Sequence, residues 1–333
     1  MEKYIEKCIS SLIIEDKELM KRLDVIVVND GSKDRSSELA HQFANKYPDS
    51  IRVIDKQNGN YGSCINAALP LVQGKYVRVL DADDTYNTET LTEYLKCLEN
   101  CDADLIVNKF CKVDPDGNVT EIFPTLPEKF NWKAFSIKEI PLNSNLLMYQ
   151  IAYKKDVFSG LGYHQTEGIS YTDMEWAFIP MTRIKTIYFY PCVIYNYLLG
   201  RNGQTMEIAT RLKRLEDEAT VVLSKLKALS TTDKCSEGYE YLKKAVLQQL
   251  ITVYGLGISR ACPLDLKSFD NRLRSEYPEI YEASNHCEIP VGAFGLRMPI
   301  IKMWRKVRSK NKLKFFPKYF LFLLVSKFKW NSK

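Results

Sequence analysis

The chain has 333 residues, of which 45% are hydrophobic and 26% charged. That is enough to bury a substantial core, and it excludes a disordered or fibrous class. The net charge of +6 is uneven: residues 289–333 hold 12 Lys/Arg and no Asp/Glu, leaving a net of −6 for the rest, and an acidic body with no nucleic-acid motif excludes nucleic acid as a partner.

The elements follow in order. Tyr4, Ile5, Cys8, Ile9 and Leu12 share one face of a helix over 2–14. Leu23 to Val28, apolar but for Asp24, has the pattern of a strand buried on both faces, and it ends in the turn Asn29-Asp30-Gly31-Ser32. A helix is predicted over 35–46, a strand over 51–54, an Asn/Gly loop over 57–62, a helix over 63–72 and a strand over 76–80. That strand runs into Asp81-Ala82-Asp83-Asp84. A helix over 88–98 and a strand over 105–113 follow. Beyond Pro124 the pattern is irregular, with strands expected at 146–153 and 186–197 and long helices at 207–229 and 239–259. Alternating strands and helices predict an α/β fold: a mostly parallel, doubly wound sheet flanked by helices, followed by a helical C-terminal region. In such sheets ligands sit beyond the carboxyl ends of the strands, where both Asp30 and Asp81 to Asp84 fall.

Asp-x-Asp at a strand end brings two carboxylates toward one side. It suits a divalent cation, Mg2+ or Mn2+, that keeps several waters and shares its coordination with phosphates. The nine cysteines are scattered, and the one close pair, Cys97 and Cys101, has no His partners. Neither a zinc site nor a disulfide framework is expected. No signal-peptide pattern opens the sequence and no apolar run is long enough to span a bilayer, so a cytoplasmic location is expected.

Val28 to Asp34, Asn58-Gly59-Asn60-Tyr61-Gly62-Ser63 with Asn66, Gly74-Lys75-Tyr76, and Leu80 to Asp84 together resemble the family 2 glycosyltransferases of the GT-A fold, over roughly residues 2–197. The resemblance implies a GT-A-like nucleotide-sugar transferase domain at 1–205, with a helical extension at 206–288 and a basic amphipathic tail at 289–333. It implies transfer from a nucleotide-diphosphate sugar, with UDP-sugar expected, to a saccharide or lipid-linked acceptor in cell-surface polysaccharide synthesis. Asp30 would contact the base, with Lys56, Asn58, Gly59 and Asn66 shaping the nucleotide pocket. Asp81 would face the ribose and diphosphate, Asp83 would ligate the metal, and Arg201 would pair with phosphate. In Tyr171-Thr172-Asp173-Met174-Glu175-Trp176, Asp173 aligns with the family's catalytic carboxylate; the acidic residue that precedes it in the family is Thr172 here. A carboxylate there takes the proton from an acceptor hydroxyl, and direct displacement inverts the anomeric centre. The processive signature Gln-x-x-Arg-Trp is missing, so one sugar per event is expected.

Family members open with an apolar strand ending near Pro-x-Tyr-Asn, whereas this sequence starts at Met1 on the helix that follows. The expectation is a poorly active or unstable chain, since the neighbouring strand loses a hydrogen-bonding partner. In the tail, bulky apolar residues alternate with cations, as in Met303-Trp304-Arg305-Lys306 and Lys314 to Lys318. This suits either a peripheral contact with an anionic membrane surface, on the inner face of the plasma membrane, or a helix packed on the body with a solvated basic face. Two rival functions stay open at this level. A shortened family member could bind sugars or partners without turnover. Asp81-Ala82-Asp83-Asp84-Thr85 also fits the nucleophile motif of haloacid-dehalogenase-like phosphatases, which does not account for Asn29-Asp30-Gly31-Ser32.

Overall fold

The computed structural model describes residues 1–123, 125–200, 208–259, 262–291 and 296–308. They fall into two compact units, one within 1–204 and 233–241, the other within 205–232 and 242–333. No helix among the described residues is long and apolar enough to cross a membrane.

The first unit begins with α1 (Glu2–Ser10), α2 (Lys17–Met20), β1 (Val25–Asp30), α3 (Ser36–Lys46), β2 (Ile51–Lys56) and α4 (Asn60–Ala68). It continues through β3 (Tyr76–Val77), β4 (Thr85–Tyr86), α5 (Thr88–Glu99), β5 (Leu105–Val113), β6 (Val119–Phe123), β7 (Lys133–Ser136), β8 (Ile151–Lys154), α6 (Asp173–Trp176) and β9 (Thr186–Leu198). The helices form where apolar side chains recur at helical spacing behind a cap. Asn87 accepts from the Thr90 amide at the start of α5, and Leu91 and Tyr94 fill its buried face. In one core cluster α1, α3 and α5 pack on the strands.

The α/β architecture with flanking helices matches the sequence reading. The strand pairing corrects it in one respect: the main sheet is mixed. Its order is β3-β8-β5-β9-β4, with β6 on β5 and β7 on β9, and only β5–β9 in it is parallel. The parallel pair β1–β2 stands as a separate two-stranded sheet. The reason is the connections beyond Leu105. β5 turns straight back into β6 through Asp114 to Asn118, and short 3-10 turns and the one-turn α6, not long crossover helices, separate the later strands. The expected strand over 76–80 is regular only at Tyr76–Val77, because Val79 to Asp83 leave the ladder toward the acidic run. The 13-residue β9 runs parallel to β5 and delivers Tyr195, Tyr197 and Leu198 beside that run.

The second unit contains α7 (Ile208–Lys213), α8 (Leu215–Ser230), most of α9 (Tyr239–Ser259), α10 (Leu266–Glu276), α11 (Pro278–Ser284), the hairpin β10 (Ile289–Val291) with β11 (Leu296–Met298), and α12 (Ile300–Arg308). The single helix expected over 207–229 is broken at Arg214, whose backbone leaves the helical region between α7 and α8. Within this unit Arg305 of α12 is buried. Its Nε donates to Asp270 at 2.7 Å, Arg308 reaches the other oxygen of Asp270 at 2.6 Å, and Tyr254 donates its hydroxyl to the same carboxyl. Arg305 also stacks on the Tyr281 ring at 3.6 Å. Two cations of the basic tail are therefore spent inside this unit; residues 309–333 lie outside the described residues.

Candidate active site

One part of the site comes from the two parallel strands. β1 ends at Asp30 and β2 at Lys56, paired across the ladder. The Asp30 carboxyl receives Lys56 Nζ at 2.6 Å and the Gly59 amide at 3.0 Å, and Asn58 Nδ2 donates to the Asp30 carbonyl at 3.1 Å. Lys56 also donates to Ser63 Oγ at 2.8 Å. Asp30, Lys56, Asn58 and Gly59, four of the residues expected at the nucleotide pocket, thus meet in one cluster. The turn geometry demands its residue types. Gly31 has φ +71°, and a Cβ on it would sit 3.1 Å from the Asn58 amide. Asn60, at φ +64°, starts α4 in the left-handed region that Asn tolerates better than most side chains.

Asn66 sits elsewhere in the network. Its Nδ2 donates to the Gln165 carbonyl at 2.9 Å and to Glu167 at 2.8 Å, and its Oδ1 accepts the Gln165 amide at 2.8 Å. It ties α4 to the segment 165–168.

In the acidic run, one ligand atom each from Asp81, Asp83 and Asp84 lies within 4.8 Å of the others. The three differ in what they do. Asp84 is buried and receives the Tyr195 hydroxyl at 2.6 Å and the Leu198 amide at 2.7 Å, so it fastens the end of β9. Asp81 is half-buried. Burial first, and then the carboxylates of Asp84, Asp83 and Asp173, push its carboxyl well above the usual carboxylate range. Like charges gathered in a desolvated crevice mark a place that a cation would stabilise. The donor set fits Mg2+ or Mn2+, because it offers carboxylate oxygens only. Cys8, whose Sγ lies 3.6 Å from the Asp81 carbonyl, has its thiol pushed up to about 12 by burial and then by Asp84, Asp81 and Asp83. It is an inert thiol, not a nucleophile.

Asp173 opens α6, with Thr172 in the cap position before it. Tyr171, one residue earlier, holds φ +66°, a costly conformation for an aromatic residue. Burial, and then the charges of Asp81 and Asp173, raise the Tyr61 hydroxyl. Tyr149 is raised by burial, then by Tyr197, Asp173 and Asp81. Tyr61 and Tyr149 are therefore crevice residues that sequence reasoning missed. Tyr61 had a signal, since it lies in the Asn-Gly loop; Tyr149 had none, because only the fold brings it there. Thr172 and Trp176 are buried. Trp176 stacks on Phe158 at 5.3 Å and belongs to the core, while His164 is exposed. Arg201 lies outside the described residues.

The comparisons with known proteins bear on family and fold. Residues 1–156 match the family model "Glycosyl transferase family 2". S. aureus TarS 1-349, solved in complex with UDP-GlcNAc, superposes with a TM-score of 0.55 at 17% identity, covering 89% of this chain and 95% of that one. The mannosyltransferase PcManGT from Pyrobaculum calidifontis, solved with GDP-Man and Mn2+, gives 0.51 at 14% identity over 100% of this chain and 85% of that one. These two likenesses show a shared fold. The hyaluronan synthase of Pasteurella multocida is 27% identical over 168 residues, 50% of this chain and 16% of that protein. Across several curated relatives the chain spans between 16% and 37% of their length. The α/β fold with an acidic run beyond β3 is a GT-A fold. Over residues 1–156 the chain carries the glycosyltransferase family 2 pattern.

Proposed function

We propose that the chain transfers one sugar per event, with inversion, from a nucleoside-diphosphate sugar, UDP-linked in the first instance, to a saccharide or lipid-linked acceptor in cell-surface polysaccharide synthesis. One observation carries this: ligand oxygens of Asp81, Asp83 and Asp84 lie within 4.8 Å of one another, while Asp30 at the end of β1 is held by Lys56 and Gly59. Asp30, Lys56, Asn58 and Gly59 bind the nucleotide. Asp81 and Asp83 would hold the divalent cation, which supplies Lewis-acid neutralisation of the diphosphate leaving group. Asp173 accepts the acceptor hydroxyl's proton as its oxygen attacks the anomeric carbon from the face opposite the departing diphosphate. Arg201 and the tail 289–333 remain candidates for a phosphate contact and for a cytoplasmic contact with an anionic membrane surface.

Asp173→Asn, assayed with UDP-sugars and Mn2+, is expected to keep its nucleotide affinity and to lose roughly 10²- to 10⁴-fold in kcat. A folded variant with full activity removes Asp173 from the mechanism. A wild-type chain that binds UDP but neither hydrolyses nor transfers from any donor supports the non-catalytic alternative.

A further inference from the structure

Glu175 has no part in the mechanism above, yet it is fully buried two residues beyond Asp173. Its two carboxyl oxygens are both taken by one residue: the Thr166 amide donates to Oε2 at 2.7 Å and the Thr166 hydroxyl to Oε1 at 2.7 Å. One position earlier, the Gln165 side-chain amide donates to the Thr172 carbonyl, just ahead of Asp173. The same short segment is held from its other side by the nucleotide pocket. Asn66 brackets Gln165 through both its amide and its carbonyl, and the Gly168 amide donates to the Gly59 carbonyl at 2.9 Å. α4 meets it without a side chain between them: a Cβ on Gly62 would fall 2.0 Å from the Thr166 carbonyl oxygen. Gly59 is itself the residue whose amide holds Asp30.

Residues 165–168 thus have two sets of attachments. One set belongs to the nucleotide pocket, the other to the helix that begins with Asp173. We propose that this segment is a strap that fixes the position of Asp173 relative to the nucleotide pocket, and that Glu175 is the positioning residue that fastens its catalytic end. The proposal rests on the reading of Asp173 as the base. The chemistry of the site explains why such a part is needed: a base displaced by about 1 Å loses on the order of 10²-fold in rate. α6 is one turn long and cannot hold its own place by helix propensity. In sequence terms, the acidic neighbour that the family places before the catalytic carboxylate is replaced by Thr172, and an acid two residues after it anchors the helix from below.

Hydrogen bonding separates position from charge. In Glu175→Gln the remaining oxygen still accepts the Thr166 amide. The new amide donates to the Thr166 hydroxyl, which accepts as readily as it donates. Glu175→Ala loses both bonds, and Thr166→Val loses one with little change of shape. Amide hydrogen exchange of the substrate-free full chain is the first readout. Exchange at 165–168 and 173–176 is expected to quicken in Glu175→Ala, less in Thr166→Val, and least in Glu175→Gln. The second readout is kinetic. Glu175→Ala is expected to lose roughly 10- to 100-fold in kcat. The affinity for UDP with Mn2+ should change by no more than about 2-fold, because the Asn66 and Gly59 attachments remain. Glu175→Gln should restore most of the lost rate. Should Glu175→Ala fail to fold, Thr166→Val carries the same test at smaller amplitude. Unchanged exchange at 173–176 in Thr166→Val overturns the strap. A Glu175→Gln variant as slow as Glu175→Ala, with exchange like wild type, overturns a positional role in favour of a charge effect. If exchange responds as expected but the wild type transfers from no donor, the strap stands and the functional reading falls.

Discussion

Two carboxyls, one in each unit, are treated in opposite ways. Asp270 is enclosed by cations and a hydroxyl, with Arg305 and Arg308 on its two oxygens and Tyr254 donating to one of them. Burial, and then Asp84, Asp83 and Asp173, push the Asp81 carboxyl upward. The first is a structural acid whose charge is satisfied by the chain itself. The second sits among like charges, an environment that a ligand of opposite sign would relieve. A buried charge that the protein fully pairs argues for architecture. One that the protein leaves crowded by its own kind argues for a ligand of opposite sign.

The contrast can be broken from the structural side. Arg305→Ala leaves Asp270 buried without one of its two cations, and chemical denaturation should report a loss of about 3–5 kcal/mol. A loss under 1 kcal/mol would mean that Arg308 and Tyr254 suffice. From the other side, the metal should stabilise. Mn2+ at a hundredfold excess over its dissociation constant is expected to add about 2.7 kcal/mol, read as a rise in Tm. A carboxyl whose pKa is raised on folding holds its proton more tightly in the folded chain. The metal-free protein therefore loses stability as pH climbs from the ordinary carboxylate range toward the raised value, and Mn2+ has a proton to displace at lower pH. The Mn2+-induced rise in Tm should accordingly shrink on acidification; a rise independent of pH would remove Asp81 from the metal site. The smallest effect has the opposite sign to the first. Asp81→Asn removes one of the crowded charges, so the metal-free variant should gain about 0.5–2 kcal/mol while losing the Mn2+ response. A destabilised Asp81→Asn chain would show that the carboxylate has a structural partner after all.

The local parts of the site were legible in the sequence because each is a short motif at the end of an apolar run. A strand followed by Asn-Asp-Gly-Ser placed Asp30, and one followed by Asp-Ala-Asp-Asp placed Asp81 and Asp83. The long helix 239–259 and the strand 186–197 were legible for the same reason, since periodicity and apolar runs are local. Strand order was not. Whether β8 and β9 lie parallel or antiparallel to β5 depends on chain connections, and nothing in the alternation of apolar residues encodes that direction.

By itself, then, the sequence determined which residue types stand at which strand ends, and with them the family. Only the tertiary structure decided how the three carboxylates of the acidic run divide their work. Asp84 became a fastener because β9 brings Tyr195 and the Leu198 amide to it across more than a hundred residues of chain. Asn66 went to the 165–168 segment instead of standing free in the pocket, and Glu175 turned inward to Thr166. Hydrogen bonds between residues so far apart depend on where packing puts the elements, and a linear pattern carries no record of that.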